Sequence, residues 1–240
     1  MILFSIRPVL GALLACATAS AVPAFAQSYA VEAETIPVSA GGEQKDASVG
    51  TIAYTVPGAG RRPILFAFNG GPGASSSFLH LGVLGPYRVE VPEDPAAPLP
   101  AKGRLVRAEN SLLDIMDIVL LDPPGTGLSS REGADPELYN SVEGDAAAVA
   151  QAVATWLEQN DRGDAPIYIL GESYGTIRAA AMLDAFAKMP TQPRLRGVIL
   201  LGQALNMIET SQRPDNIISY VVSLPTLAAI ACYHGRGVAD

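Results

Sequence analysis

Short apolar runs, each ending at glycine or proline punctuation, divide this chain. Residues 63–68 and 117–121 are rich in Ile, Leu, Phe and Val, and residues 166–170 and 197–201 supply two more runs of the same kind. Continuous apolar runs of this length predict parallel strands buried on both faces. Residues 29–57 alternate loosely and predict edge strands leading into 51–56. Between the runs the period changes. Val142, Ala146, Val149, Val153, Trp156 and Leu157 keep helical spacing, which predicts a helix over 141–159, and residues 176–188 predict another. Strands alternating with helices predict a doubly wound, mostly parallel α/β sheet. The Pro- and Ala-rich stretch 92–100 reads as a loop excursion, and no internal repeat is visible.

Chemistry enters where two of these runs end. The run 166–170 leads straight into Gly171-Glu172-Ser173-Tyr174-Gly175, a G-x-S-x-G stretch, and the second helix follows. This is the strand–turn–helix context in which a serine hydroxyl is presented as a nucleophile. Glycines let strand and helix pack closely while the serine takes a strained backbone conformation. The run 63–68 leads into Asn69-Gly70-Gly71-Pro72-Gly73-Ala74-Ser75-Ser76. Acyl transfer needs two fixed donors where the carbonyl oxygen becomes negative, and a glycine-rich loop lets backbone N–H groups come that close. Ser173 is therefore the candidate nucleophile, and the N–H groups of Gly71 and Tyr174 are the candidate oxyanion hole.

Together these motifs resemble the secreted serine carboxypeptidases of the α/β-hydrolase superfamily, in their bacterial form. The matching pieces are residues 69–76, Gly85-Pro86, residues 122–127 with Ser129, and residues 171–175; residues 224–226 and 233–236 also look like bacterial members. The resemblance spans about Gly50 to Arg236. It implies that the chain releases C-terminal residues from peptides through an acyl-enzyme on Ser173, without metal or cofactor. It also implies that Asn69, Gly70 and Glu172 bind the free carboxylate of the peptide. Two carboxylates share a hydrogen bond only when one is protonated, so such binding weakens as pH rises. An alternative role for Glu172 is a structural acid at the helix start.

Several positions depart from the family pattern. Ala74 stands where eukaryotic relatives carry a cysteine, and Val83 where they carry a further Glu, which bears on carboxylate recognition. No Lys follows Asp122-Pro123-Pro124-Gly125-Thr126-Gly127, which argues against a phosphate loop; the resemblance makes it a substrate-cleft loop, with a plain turn as the alternative. His80 reads as a packed or surface histidine rather than a base. Hydrolases of this kind order the triad Ser, then Asp or Glu, then His. After Ser173 the chain offers His234 alone, with Asp184, Asp215 and Asp240. The resemblance aligns none of these with a triad member, so the expectation is an N-terminal portion of the catalytic domain over 27–240, truncated before the C-terminal strands and weak or inactive by itself. The competing readings are an esterase or acyltransferase on the same scaffold, and a non-catalytic truncated pseudoenzyme.

The first 26 residues read as a signal peptide: Arg7 gives a positive start, residues 9–22 are mostly apolar, and Ala24-Phe25-Ala26 fits a cleavage site. That predicts export to the periplasm or the medium with no stable membrane span; Leu13-Leu14-Ala15-Cys16 offers lipoprotein anchoring as a minor alternative. Cleavage after Ala26 leaves fifteen basic against twenty-four acidic residues, a net charge of −9. Such a balance argues against nucleic acid as a partner. Cys232 would be the sole remaining cysteine, so no intramolecular disulfide forms and the apolar core must hold the fold. Oligomeric state is open.

Overall fold

The computed structural model describes residues 28–39, 46–58, 61–94, 96–98, 100–132, 134–204 and 214–236. Residues 1–26, read above as a signal peptide and including Cys16, lie outside the described residues. By contacts the chain divides into two compact units, Met1–Gln203 and Ala204–Asp240.

Six strands form the central sheet of the first unit: β1 (Ala30–Val38), β2 (Ala47–Thr55), β3 (Ile64–Phe68), β6 (Asp117–Asp122), β7 (Ile167–Glu172) and β8 (Leu195–Leu201). Their spatial order is β1-β2-β6-β3-β7-β8. The pairs β6–β3, β3–β7 and β7–β8 are parallel, and β1–β2 and β2–β6 are antiparallel. Each apolar run of the sequence is thus a strand, and β1 and β2, from the loosely alternating stretch, form the antiparallel edge. A small hairpin, β4 (Tyr87–Val89) with β5 (Leu105–Arg107), brackets the proline-rich excursion.

Period-2 alternation sorts the strand side chains onto two buried faces. Ile64, Phe66 and Phe68 join Val119, Leu121, Ile167 and Ile169 on one face. That face is covered by α3 (Val142–Gln159) and α4 (Gly175–Ala187). Trp156 of α3 meets Phe66 edge to face, 5.5 Å between ring centroids. Leu65, Ala67, Ile118, Leu120 and Leu170 point the other way, against Leu79, Leu84 and Leu113. Leu79 ends α1 (Ser77–Leu79), which continues as a π-helical turn, His80–Leu84. The core strands are apolar throughout because both faces are covered, as parallel sheets require.

Helix starts follow local chemistry. Asp135 caps α2 (Pro136–Asn140), which has proline in its first turn. The Ser141 Oγ accepts from Gly144 N at 3.0 Å to start α3, with Glu143 and Asp145 beside the positive end of the helix dipole. In the second unit, α5 (Ile217–Tyr233) starts at Asn216 and carries Pro225 within it. Its apolar side chains, including Ile217, Val222, Leu224 and Tyr233, are exposed. No described helix is long and apolar enough to cross a membrane.

Asp117 anchors the N-terminal end of β6. It is fully buried, accepts from Arg62 Nε at 3.1 Å, Arg162 Nη1 at 2.8 Å and Val56 N at 3.1 Å, and so ties β2, β3 and the α3–β7 loop to one carboxylate. Removing one partner of a buried ionic cluster leaves the others uncompensated, at a cost of about 3–5 kcal/mol. Asp117→Ala is expected to lower the unfolding free energy by that amount, read from a lower urea midpoint at unchanged slope; a loss below ~1 kcal/mol would show that water already screens the cluster.

Candidate active site

Ser173 follows the last residue of β7 and precedes α4 by one residue. Its φ is +55°, the left-handed region that side chains other than glycine rarely adopt. The turn is held on both sides: Ser173 N donates to Leu201 O at 2.9 Å, while Thr176 N and Thr176 Oγ1 donate to Ser173 O at 2.9 and 2.7 Å. The strained elbow expected from G-x-S-x-G is therefore present. Its glycines are required by space. A Cβ on Gly171 would lie 2.1 Å from Gly175 O, inside any contact distance.

The glycine-rich loop after β3 meets this elbow directly. A Cβ on Gly70 would lie 2.5 Å from Tyr174 N and 2.6 Å from Glu172 O, so the two backbones touch. Gly71 takes φ +107°, and the Gly71–Pro72 peptide is cis. Among the described residues neither the Gly71 N–H nor the Tyr174 N–H has an acceptor.

Asn69 organises the loop with every polar group it has. Its Nδ2 donates to Glu172 Oε2 at 3.0 Å, and its Oδ1 accepts from Leu79 N at 3.0 Å. Its own N donates to Ser76 Oγ at 3.3 Å, and its carbonyl accepts from Arg178 Nη1 at 2.8 Å. Asn69 and Glu172 are thus brought together beside Ser173. Glu172 ends β7 and is half-buried, with Asn69 as its partner, rather than standing in the first turn of a helix.

The loop 122–129 is bound to the same edge. Asp122 Oδ1 accepts from Ser76 N at 2.7 Å and Oδ2 from Leu128 N at 2.9 Å. Ser129 Oγ donates to Asp122 O and accepts from Gly50 N, the latter at 2.7 Å. A Cβ on Gly127 would overlap the Asp122 carboxylate. Both oxygens of Asp122 are spent on holding loops, a scaffold role that the sequence pattern did not separate from a substrate-contacting one.

The histidines and aspartates divide as follows. His80 opens the π-helical turn after α1, and its Nε2 is 2.5 Å from the hydroxyl of Tyr54 on β2. Asp184 is exposed on α4, about 14 Å along the helix from Gly175. Among the described residues, no hydrogen bond joins either to Ser173. His234 and Asp215 belong to the second unit, and Asp240 lies outside the described residues. Among the described residues no group of three His, Cys, Asp or Glu side chains could hold a metal.

One functional-site neighbour was missed. Arg178, 1% exposed, donates from Nε to Asp145 Oδ2 at 2.8 Å, and its guanidinium lies 5.1 Å from the Phe68 ring and 5.4 Å from the Tyr174 ring. Burial pushes the Asp145 carboxyl up, and Arg178 offsets this only in part. Burial, reinforced by Asp145, pushes the Tyr174 phenol up to about 12. The available signal was an Arg inside the Ala-rich start of α4 and an Asp before the alanines of α3.

The serine carboxypeptidase family profile matches residues 55–220. This chain belongs to the serine carboxypeptidase family. Among solved structures it is similar to Kex1, a prohormone-processing carboxypeptidase from Saccharomyces cerevisiae, at 23% identity and a TM-score of 0.53, over 71% of this chain and 38% of that one. A carboxyl esterase from Bacillus coagulans matches at 17% identity and a TM-score of 0.43, over 87% of this chain and 52% of that one. The family member described here therefore spans less than two thirds of either. A search of curated protein sequences returns no match. The fold is that of the α/β-hydrolases, with a mostly parallel sheet flanked by helices.

Burial holds the His80 imidazole below its usual 6.5, with Asp122 opposing. Below pH 6.5 the unfolded chain then binds more protons than the folded one, so stability is lost as pH falls through that window. Wild-type protein is expected to lose more stability than His80→Gln between pH 7.5 and 5, read from urea midpoints; parallel curves would remove His80 from the account.

Proposed function

We propose that this chain carries the nucleophile and oxyanion hole of an exported serine-type carboxypeptidase. In this reading Ser173 Oγ bonds to the carbonyl carbon of the last peptide bond, and its proton passes through a base to the leaving amine. The C-terminal amino acid departs, and water then releases the acyl group. The N–H groups of Gly71 and Tyr174 hold the oxyanion, each worth about 3–4 kcal/mol in the transition state. Asn69, Gly70 and Glu172 hold the terminal carboxylate of the substrate.

The observation that supports this most is the Asn69–Glu172 hydrogen bond beside a serine held at positive φ. A site for acyl transfer alone has no need of a carboxyl group there; a site that selects a free C-terminus does. His80, the single histidine of the first unit, is engaged by Tyr54, so the described residues of that unit assign Ser173 no base. Without that base, acylation is weak. One observation favours a broader esterase activity: Val83, 60% exposed, stands where eukaryotic relatives carry a further Glu, which removes one recognition group for the carboxylate.

The test uses the 240-residue chain. A fluorophosphonate probe is expected to label wild type slowly and Ser173→Ala not at all. Peptides with a free C-terminus are expected to bind more tightly than their amides, with affinity falling as pH rises, and Glu172→Gln is expected to flatten that pH dependence. Equal affinity for acid and amide with serine-dependent labelling would favour the esterase. Equal labelling of Ser173→Ala would sink the nucleophile assignment.

A further inference from the structure

We infer that Arg178 and Asp145 are positioning residues that fix both halves of the oxyanion hole at once, from the helical side of the sheet. The inference rests on the acyl-transfer reading above. Arg178 Nη1 holds the carbonyl of Asn69 at 2.8 Å. That carbonyl and the Gly70 N–H belong to one planar peptide unit, so fixing it sets the direction in which the backbone enters Gly71. The same guanidinium lies between the rings of Phe68 and Tyr174. Phe68 is the last residue of β3, and Tyr174 carries the other donor. One side chain therefore touches the strand end, the glycine loop and the residue after the nucleophile.

Asp145 fixes the guanidinium in turn. It stands in the first turn of α3, a separate element, and accepts from Arg178 Nε at 2.8 Å. Nε and Nη1 point along different directions of a rigid fork, so the bond to Asp145 aims the bond to Asn69. Stability alone is a poor reason for this charge, since well-packed apolar residues often replace a buried ion pair without loss. Directional contact with two loops at once is what an apolar pair cannot supply. Both donors act on the transition state, so their displacement lowers kcat and leaves KM nearly unchanged.

The decisive variant is Arg178→Lys, which keeps the charge and loses the fork. Three measurements are made on the whole chain: circular dichroism, the Gly71 and Tyr174 amide resonances of 15N-labelled protein, and hydrolysis of p-nitrophenyl acetate. The expected result is a folded variant in which both resonances shift together. Its kcat falls about 10- to 100-fold, with KM within about twofold. A folded variant with unmoved resonances, or with wild-type kcat, overturns the inference. Where wild type shows no Ser173-dependent turnover, as expected of a chain without its base, the two amide shifts decide the clamp alone. Where Arg178→Lys does not fold, the double variant Arg178→Met with Asp145→Leu is judged by the same readouts. Loss of folding in both would make the pair structural and overturn the inference.

Discussion

Backbone meets backbone where β7 turns into α4, with no space for a side chain between them. Gly171 faces the Gly175 carbonyl, and Gly70 faces the Tyr174 nitrogen and the Glu172 carbonyl. Everything else at the site depends on this contact. It brings the loop after β3 against the elbow after β7, which puts Asn69 within reach of Glu172. It also explains the strained φ of Ser173, with a glycine at positive φ facing it in the loop after β3. Strain of this kind persists only where surrounding structure over-determines it. Here the surroundings are the Leu201 and Thr176 bonds on one side and the Asn69 network on the other.

Buried charge is distributed to serve the same end. β6 begins and ends with buried aspartates, Asp117 and Asp122, and each is saturated by neighbouring loops or guanidinium groups. A strand pinned at both ends holds its register against β2 and β3. The third buried carboxylate, Asp145, lies on the helical layer and pairs with Arg178. A carboxylate or guanidinium out of water is costly unless paired and hydrogen-bonded. Arg62, Arg162 and Arg178 each also reach a backbone carbonyl, and Asp117 and Asp122 accept from backbone amides, so the clusters organise loops as much as they neutralise charge, with only Arg162 Nε, among the described residues, left unpartnered.

Most of the sheet was legible because its strands are apolar on both faces and end at glycine or proline. The elbow and glycine loop were legible for a different reason: their residue types satisfy steric demands that few other sequences meet. The β4–β5 hairpin escaped, since Tyr87–Val89 and Leu105–Arg107 are three-residue strands with exposed side chains and no clear alternation. The helix α5 escaped because Ile217–Tyr233 contains no charged residue to set an apolar face against a polar one, and Pro225 reads as a breaker. Arg178 and Asp145 escaped because pairing across thirty-three positions is a tertiary fact. Local pattern could mark each as unusual and could not join them.

Asp122 carries a consequence of another kind. Its two oxygens hold Ser76, at the tail of the glycine-rich loop, and Leu128, in the loop after β6. Two segments distant in the chain are thereby joined into one mechanical body at the C-terminal edge of the sheet. A load applied to either is shared by the other, and neither can open separately while the carboxylate stays bound to both. With both loops tied to one carboxylate, change at this edge would come through replaced side chains rather than through loops that swing.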